Sequence, residues 1–279
     1  MPEEHGSGNR ARDAAADVLA HPREIEAVAQ LVAGCDSVAV LTGAGISTES
    51  GLPDYRGTSG MWRNRRFEEL ASIRAFTEEP VAFWEFYRMR LAHLRDATPN
   101  RGHRALAALE RAGHTQPVIT QNVDGLHSAA GSDPVEVHGS LTRAECLACG
   151  LVFSIEEAER RSAGSPEQVP ECDCGAPLKP GVVLFGELLP ADAVRRASAI
   201  VDTCQAMLVC GSTLAVSPVN GLAAQVAMSE RPLAIVNMGA TELDRLAEVR
   251  VAAALGPVLA GVAASLLGAD WDHHDTPRR

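Results

Sequence analysis

Aromatic side chains are scarce in this chain, 4% of 279 residues, and it contains no run of 18 or more apolar residues. The second absence leaves no candidate for a membrane-spanning helix. The segment from Met1 to Ala20 has no apolar h-region, so a secretory signal is not expected and a cytoplasmic setting is. Positive charge is also in deficit, with a formal net charge of −11 and a pI near 5.3, which argues against nucleic acid as a partner. An acidic surface keeps a protein in solution and favours approach of basic, lysine-bearing partners. Seven cysteines are an odd number for disulfides, and four of them fall in two close pairs. Without an export signal, that usage points to reduced thiols and metal ligation.

What is present is a globular composition, 46% hydrophobic and 22% charged, with enough chain for a sizeable core. Residues 1–20 and 270–279 are polar and non-periodic and read as loose tails. Between them, short apolar runs alternate with amphipathic stretches. Pro22–Gly34 spaces Ile25, Val28, Leu31 and Val32 as one helical face. Ser37–Thr42 is a continuous apolar run of the kind buried in a parallel sheet. Similar runs occupy Pro117–Thr120, Val182–Phe185, Ala206–Cys210 and Leu233–Asn237, with helical stretches at Gly102–Ala112, Ala191–Cys204 and Pro218–Ser229. This rhythm predicts an α/β fold with a doubly wound, parallel, Rossmann-like sheet. Residues 21–56, 99–138 and 182–269 would build it. Two segments break the rhythm and read as insertions: a helical one over 57–98 and a cysteine-bearing one over 139–181.

Gly43-Ala44-Gly45-Ile46-Ser47 follows the first strand, then Ser50-Gly51-Leu52-Pro53-Asp54-Tyr55-Arg56. Glycines at a strand's end allow close approach of a pyrophosphate, and a following helix start offers N–H donors. Gly-x-Gly alone is a weak signal, and the third glycine comes too late for the dehydrogenase pattern. The whole stretch, however, resembles the cofactor loop of the sirtuin family, with Leu52 and Tyr55 as its departures. Thr120-Gln121-Asn122-Val123-Asp124-Gly125-Leu126-His127 and Val135-Glu136-Val137-His138-Gly139 are similar to the next two motifs of that family.

The resemblance implies an NAD-dependent protein-lysine deacylase that releases nicotinamide, O-acyl-ADP-ribose and free lysine from acylated proteins. It makes His138 the general base on the nicotinamide ribose and Asn122 its catalytic companion; histidine suits proton abstraction near neutral pH. NAD would be held by Gly43, Ala44, Gly45, Ser47, Asp54, Tyr55, Arg56, Gln121, Asn122 and Asp124. On the adenosine side, Gly211-Ser212-Thr213 and Asn237 match the family's elements. His127 reads as structural. A mono-ADP-ribosyltransferase using the same NAD site is the alternative reading, and an NAD-sensing scaffold a more distant one.

Cys146-x-x-Cys149 is a zinc knuckle, and Cys172-x-Cys174 is a second, shorter by one residue than the family's usual spacing. Four thiolates would close a tetrahedral site and make the zinc structural. The short knuckle puts its ideal geometry in question. Cys35, Cys204 and Cys210 read as buried thiols. Lys179-Pro-Gly-Val-Val-Leu-Phe-Gly-Glu187 resembles the segment along which the family binds substrate as an added strand, with Val183, Phe185 and Gly186 at the acyl-lysine. The same nonapeptide and Pro-Asp-Tyr-Arg look closest to the class II branch. Tyr87-x-x-Arg90 is instead similar to the pair that reads acidic acyl groups in the desuccinylase branch, where a phenol and a guanidinium fork suit a carboxylate; the same spacing reads equally as an aromatic core face with a solvated arginine. An Ala- and Arg-rich, Lys-poor composition hints at a bacterial, high-GC source.

Overall fold

The computed structural model describes residues 21–54, 60–61, 64–165 and 167–273. Tyr55 and Arg56 lie outside the described residues, as do the predicted tail at 1–20 and residues 274–279. The chain opens with α1 (Pro22–Ala33), whose proline stands in the first turn and whose apolar face is buried as its spacing predicts. β1 (Val38–Thr42) follows, buried at every residue. After a 3-10 segment at Ala44–Ser50 come the short helices α2 (Arg65–Leu70) and α3 (Ile73–Glu78), then the long α4 (Pro80–Arg95). α5 (Arg101–Arg111) starts at a capping box in which the Asn100 side chain takes N3 and the His103 ring takes the Asn100 N–H, a reciprocal closure of orphan donors. β2 (Ile119–Thr120), α6 (Leu126–Ala129) and β3 (Val135–Glu136) lead into the second unit.

That unit contains β4 (Gly139–Cys146), β5 (Val152–Ser154), α7 (Ile155–Ala163) and β6 (Leu178–Val182). The chain then returns through α8 (Ala191–Thr203), β7 (Ala206–Cys210), α9 (Asn220–Met228), β8 (Leu233–Val236), β9 (Val249–Val251) and α10 (Leu255–Leu267). The large sheet is parallel throughout, in the order β3-β2-β1-β7-β8-β9. Helices α1, α5 and α10 pack on one face, and α8 and α9 on the other. Burial on both faces is why its main strands read as unbroken apolar runs. The strand order reverses between β1 and β7, and in such sheets the crevice beyond the carboxyl ends at that point takes ligands. The small sheet is antiparallel, β5-β4-β6.

Three elements differ from the sequence reading. Val182–Phe185 is not a strand of the large sheet: β6 ends at Val182 and belongs to the small sheet. Gly139 and Gly181 are the reason, because a Cβ on Gly139 would lie 2.2 Å from the Gly181 carbonyl oxygen. The two backbones cross there, and the Val183 N–H is then taken by the His138 carbonyl at 2.8 Å. α10 carries no periodicity to read, since it is buried on nearly every side over its first nine residues. Within the segment read as a tail from Asp270, Trp271 is buried at 4% exposure and Asp272 accepts two bonds from Arg104.

Candidate active site

Three glycines build the floor of the crevice. The Gly43 N–H bonds to the Cys210 carbonyl at 3.0 Å and the Gly45 N–H to the Gly211 carbonyl at 2.9 Å. A Cβ on Gly45 would sit 2.7 Å from Gly211 Cα, and Gly211 has φ +65°. Bare backbone from both sides of the switch point therefore meets with no room for a side chain, which leaves backbone groups facing the opening. A cavity of about 650 Å³ rises from this floor.

The sequence-predicted residues gather around it. Gly43, Ala44, Gly45 and Asp54 line its cofactor-loop side. Gln121, Asn122 and His138 come from the segments after β2 and β3, and Gly211, Ser212, Thr213 and Asn237 from the ends of β7 and β8. Val183, Phe185 and Gly186 form the opposite edge, with Tyr87 and Arg90 reaching in from α4. Ser47 and Asp124 line a smaller adjoining cavity that also includes Asn122 and Arg90.

Hydrogen bonds fix these side chains. Ser47 Oγ donates to Asp124 Oδ2 at 2.7 Å and accepts from Asn122 Nδ2 at 3.1 Å. The Asn122 amide also donates to the Gly43 carbonyl at 3.2 Å, so its orientation is set by two partners. Gln121 Nε2 donates to Ser212 Oγ at 2.9 Å, bridging the two halves of the sheet. Burial raises the Asp124 carboxyl above the usual carboxylate range, opposed by the Leu126 N–H and the Ser47 hydroxyl.

His138 is half-buried at the mouth of this network. Its Nδ1 lies 2.9 Å from the Gln121 carbonyl; a carbonyl only accepts, so Nδ1 carries the proton and Nε2 is the free base. Burial pushes its pKa down, with the bond to Gln121 acting against it. The imidazole is thus neutral at pH 7, as a general base must be. His127, by contrast, is interior: its Nε2 lies 2.9 Å from Thr42 Oγ1, its Nδ1 has no partner, and burial lowers its pKa to about 3.

Two residues at the site carry no motif and were not anticipated. Asn100 Nδ2 donates to the Ile46 carbonyl at 2.7 Å and to Ser50 Oγ at 3.0 Å, tying the start of α5 to the cofactor loop. His103 stands behind Ser47, with Nε2 3.5 Å from its hydroxyl, and burial lowers its pKa to about 4. Asn-x-x-His reads locally as a helix cap, and nothing in the sequence signals that the cap braces the cofactor loop.

The four cysteines of the two knuckles converge, with all sulfurs within 4.8 Å of one another. Cys146 and Cys174 lie 3.5 Å apart, as do Cys149 and Cys172. A tetrahedral zinc–thiolate site needs sulfur separations of about 3.8 Å. The short second knuckle therefore still delivers a four-sulfur cluster, which fits one structural zinc.

Residues 43–218 match the model of the Sir2 family. An NAD-dependent protein deacetylase of Sulfolobus acidocaldarius is 42% identical over 228 residues, 81% of this chain and 88% of that protein. An NAD-dependent protein deacylase of Pyrococcus furiosus is 41% identical over 193 residues, 68% of this chain and 77% of its own length. Among solved structures, a Sir2 homologue in complex with NAD superposes with a TM-score of 0.79 at 36% identity, covering 86% of this chain and 93% of that one. A Sir2 structure with a deacetylated p53 peptide and 3′-O-acetyl ADP-ribose gives 0.80 at 33% identity, covering 88% and 98%. A family model matched over residues 43–218 and relatives more than 40% identical over most of their length show that the protein belongs to the Sir2 family.

Proposed function

We infer that this protein is an NAD-dependent protein-lysine deacylase. The observation that carries the reading is His138, whose neutral imidazole faces a cavity floored by bare glycine backbone. Acyl-lysine, NAD and one water would give free lysine, nicotinamide and O-acyl-ADP-ribose: the nicotinamide–ribose bond and the lysine amide bond break, and the acyl group ends on a ribose oxygen. The chain's own contribution is orientation, exclusion of water and one base. Asn122 and Gln121 position the nicotinamide ribose, and Ser47 and Asp124 shape the nicotinamide side. Ser212, Thr213 and Asn237 take the phosphates and adenosine, and Asp54 contributes on the cofactor-loop side; the NAD roles of Tyr55 and Arg56 rest on the resemblance of their motif alone. Cys146, Cys149, Cys172 and Cys174 hold zinc in a purely structural role.

The substrate is an acylated lysine on an extended peptide laid along Val183, Phe185 and Gly186. On acyl preference, two observations favour a short acidic chain. Tyr87 and Arg90 are buried to 1% and 8% exposure, yet both line the cavity. Ala71, a small side chain, lines the same cavity. A guanidinium lining such a cavity favours a carboxylate over a methyl group. No described helix is long and apolar enough to cross a membrane, and a cytoplasmic setting suits the reduced thiols.

The test is NAD-dependent nicotinamide release from acetyl-, succinyl- and long-chain-acyl-lysine peptides, with His138→Ala beside the wild type. Turnover that disappears in the variant supports the reading. Silence on all peptides, with ADP-ribose appearing on a protein instead, would overturn it in favour of ADP-ribosyl transfer.

A further inference from the structure

Of the 25 lysines and arginines in the chain, only Lys179 is a lysine, and it is buried at 2% exposure. A buried ammonium is tolerated when its charge and its three N–H donors are matched. Here Nζ donates to the Val182 carbonyl at 2.7 Å and to Glu187 Oε2 at 3.1 Å, and it pairs with Glu145 Oε1 at 3.0 Å. Glu187 Oε2 accepts in addition the Leu184 N–H at 2.8 Å. One ammonium thus fastens both ends of the stretch 182–187, whose middle residues form the edge of the cavity. Elsewhere the chain makes its ion pairs with arginine. A planar guanidinium cannot direct three donors at three acceptors clustered around one point, whereas a tetrahedral ammonium can.

We propose that Lys179 is a positioning residue for the peptide-binding edge. By joining Glu145 on β4, the Val182 carbonyl and Glu187, it sets the course of residues 182–187 against which the acyl-lysine peptide lies; this role rests on the deacylase reading. Glu145 is outside the cavity lining, so any effect of changing it on peptide binding travels through Lys179. The glycine floor at 43–45 and 211 shares none of these bonds. Removing one partner leaves a buried charge short of compensation, and the edge shifts while the NAD crevice stays in place.

The experiment compares Lys179→Met, Glu187→Gln and Glu145→Gln in the zinc-loaded protein. Steady-state kinetics gives KM for the acyl-peptide and for NAD separately, and direct titration gives the affinity for ADP-ribose. Lys179→Met is expected to raise the peptide KM about tenfold or more, and Glu145→Gln about two- to threefold, with ADP-ribose affinity unchanged. Because Lys179 is the sole lysine, an amine-reactive ester followed by peptide mass analysis reads its shielding without any activity assay. Labelling of Lys179 should be negligible in the wild type and several-fold faster in Glu145→Gln. If Lys179→Met does not fold, the glutamate variants and the labelling decide. A peptide KM and a labelling rate both indifferent to Glu145 and Glu187, or peptide and ADP-ribose binding lost in step, would overturn the proposal. A wild type that turns over no acyl-peptide would instead defeat the deacylase reading, and labelling would still test the clamp.

Discussion

The six-stranded crevice and the cysteine-bearing unit beside it reach order by different routes. In the crevice, β1, β7 and β8 are buried at every residue, aliphatic side chains fill both faces, and the ligand floor is made of backbone. In the second unit β5 is largely exposed, and Leu147, Leu151 and Val152 face solvent. Its order comes from six of the chain's eleven aromatics, placed from Phe67 to Tyr87, and from four sulfurs. Trp84 adds a tether, donating Nε1–H to the Leu178 carbonyl at 3.0 Å. A scarcity of aromatics in the whole chain is therefore a concentration of them where aliphatic burial is thin. The comparison teaches that the crevice is preformed by packing, whereas the unit beside it leans on a sulfur cluster and on the paired charge of Lys179.

Chelation of zinc is the sharpest way to test that contrast and has the largest expected effect. Structural zinc contributes about 10–16 kcal/mol to folding of isolated zinc-finger peptides, far more than a small three-stranded sheet can replace. A chelator is expected to abolish peptide turnover and to add a separate low-temperature transition in calorimetry. Binding of ADP-ribose should persist through that transition. A single cooperative melt that takes ADP-ribose binding with it would break the comparison.

The second test leaves both regions folded and removes only the chemistry between them. His138→Ala is expected to lower turnover about 10²–10⁴-fold, with NAD affinity and the melting profile close to wild type. A loss confined to KM for NAD would instead make His138 a binding residue.

The two regions also differed in how far the sequence disclosed them. The crevice was legible because both of its signals are local: apolar runs buried on both faces, and glycines where backbone meets backbone. Its partners Asn100 and His103 were not, because a helix cap looks the same whether it faces solvent or braces a loop. The metal cluster was legible from the pairing of Cys146 with Cys149, although the short Cys172–Cys174 knuckle left its closure open until the sulfurs were seen to converge. The course of Val182–Phe185 was misread because four apolar residues mark a strand without naming its sheet. What decides it is a crossing between Gly139 and Gly181, distant in sequence. The role of Tyr87 and Arg90 stood open for a similar reason: helical spacing places them on one face of α4 and says nothing of a cavity.

Arg90 sharpens the comparison on the peptide side alone. It belongs to α4 and lines the cavity opposite the glycine floor's own backbone contacts. Arg90→Met is expected to cost about 1.5–3 kcal/mol in turnover of a succinyl-peptide, roughly tenfold to more than a hundredfold. NAD affinity and acetyl-peptide turnover should stay within a few fold. Equal losses on succinyl and acetyl peptides would return Arg90 to a packing role against Phe86 and Tyr87, whose rings lie 5.7 and 5.2 Å from its guanidinium.

Acid should act on the opposite region from the chelator, with the smallest effect per step. His103 and His127 meet edge to face, with ring centroids 4.9 Å apart, and burial lowers them to about 4 and about 3. Unfolded, each takes up a proton near pH 6.5. Below that pH the unfolded chain binds protons that the folded one refuses, so stability present above pH 6.5 is lost as the pH falls. The loss is about 1.4 kcal/mol per pH unit for each histidine, continuing to about pH 4 for His103 and about pH 3 for His127. Asp124 works in the opposite sense, because its raised carboxyl is protonated first in the folded state. Urea titrations between pH 7 and 5.5, with zinc in excess to hold the metal unit, measure the slope. His127→Gln should flatten it by about a third, because burial lowers His138 as well as His103, while keeping a donor for Thr42. A slope that the variant leaves unchanged would assign the acid sensitivity to the thiolate cluster, and the crevice would then share the ribbon's weakness.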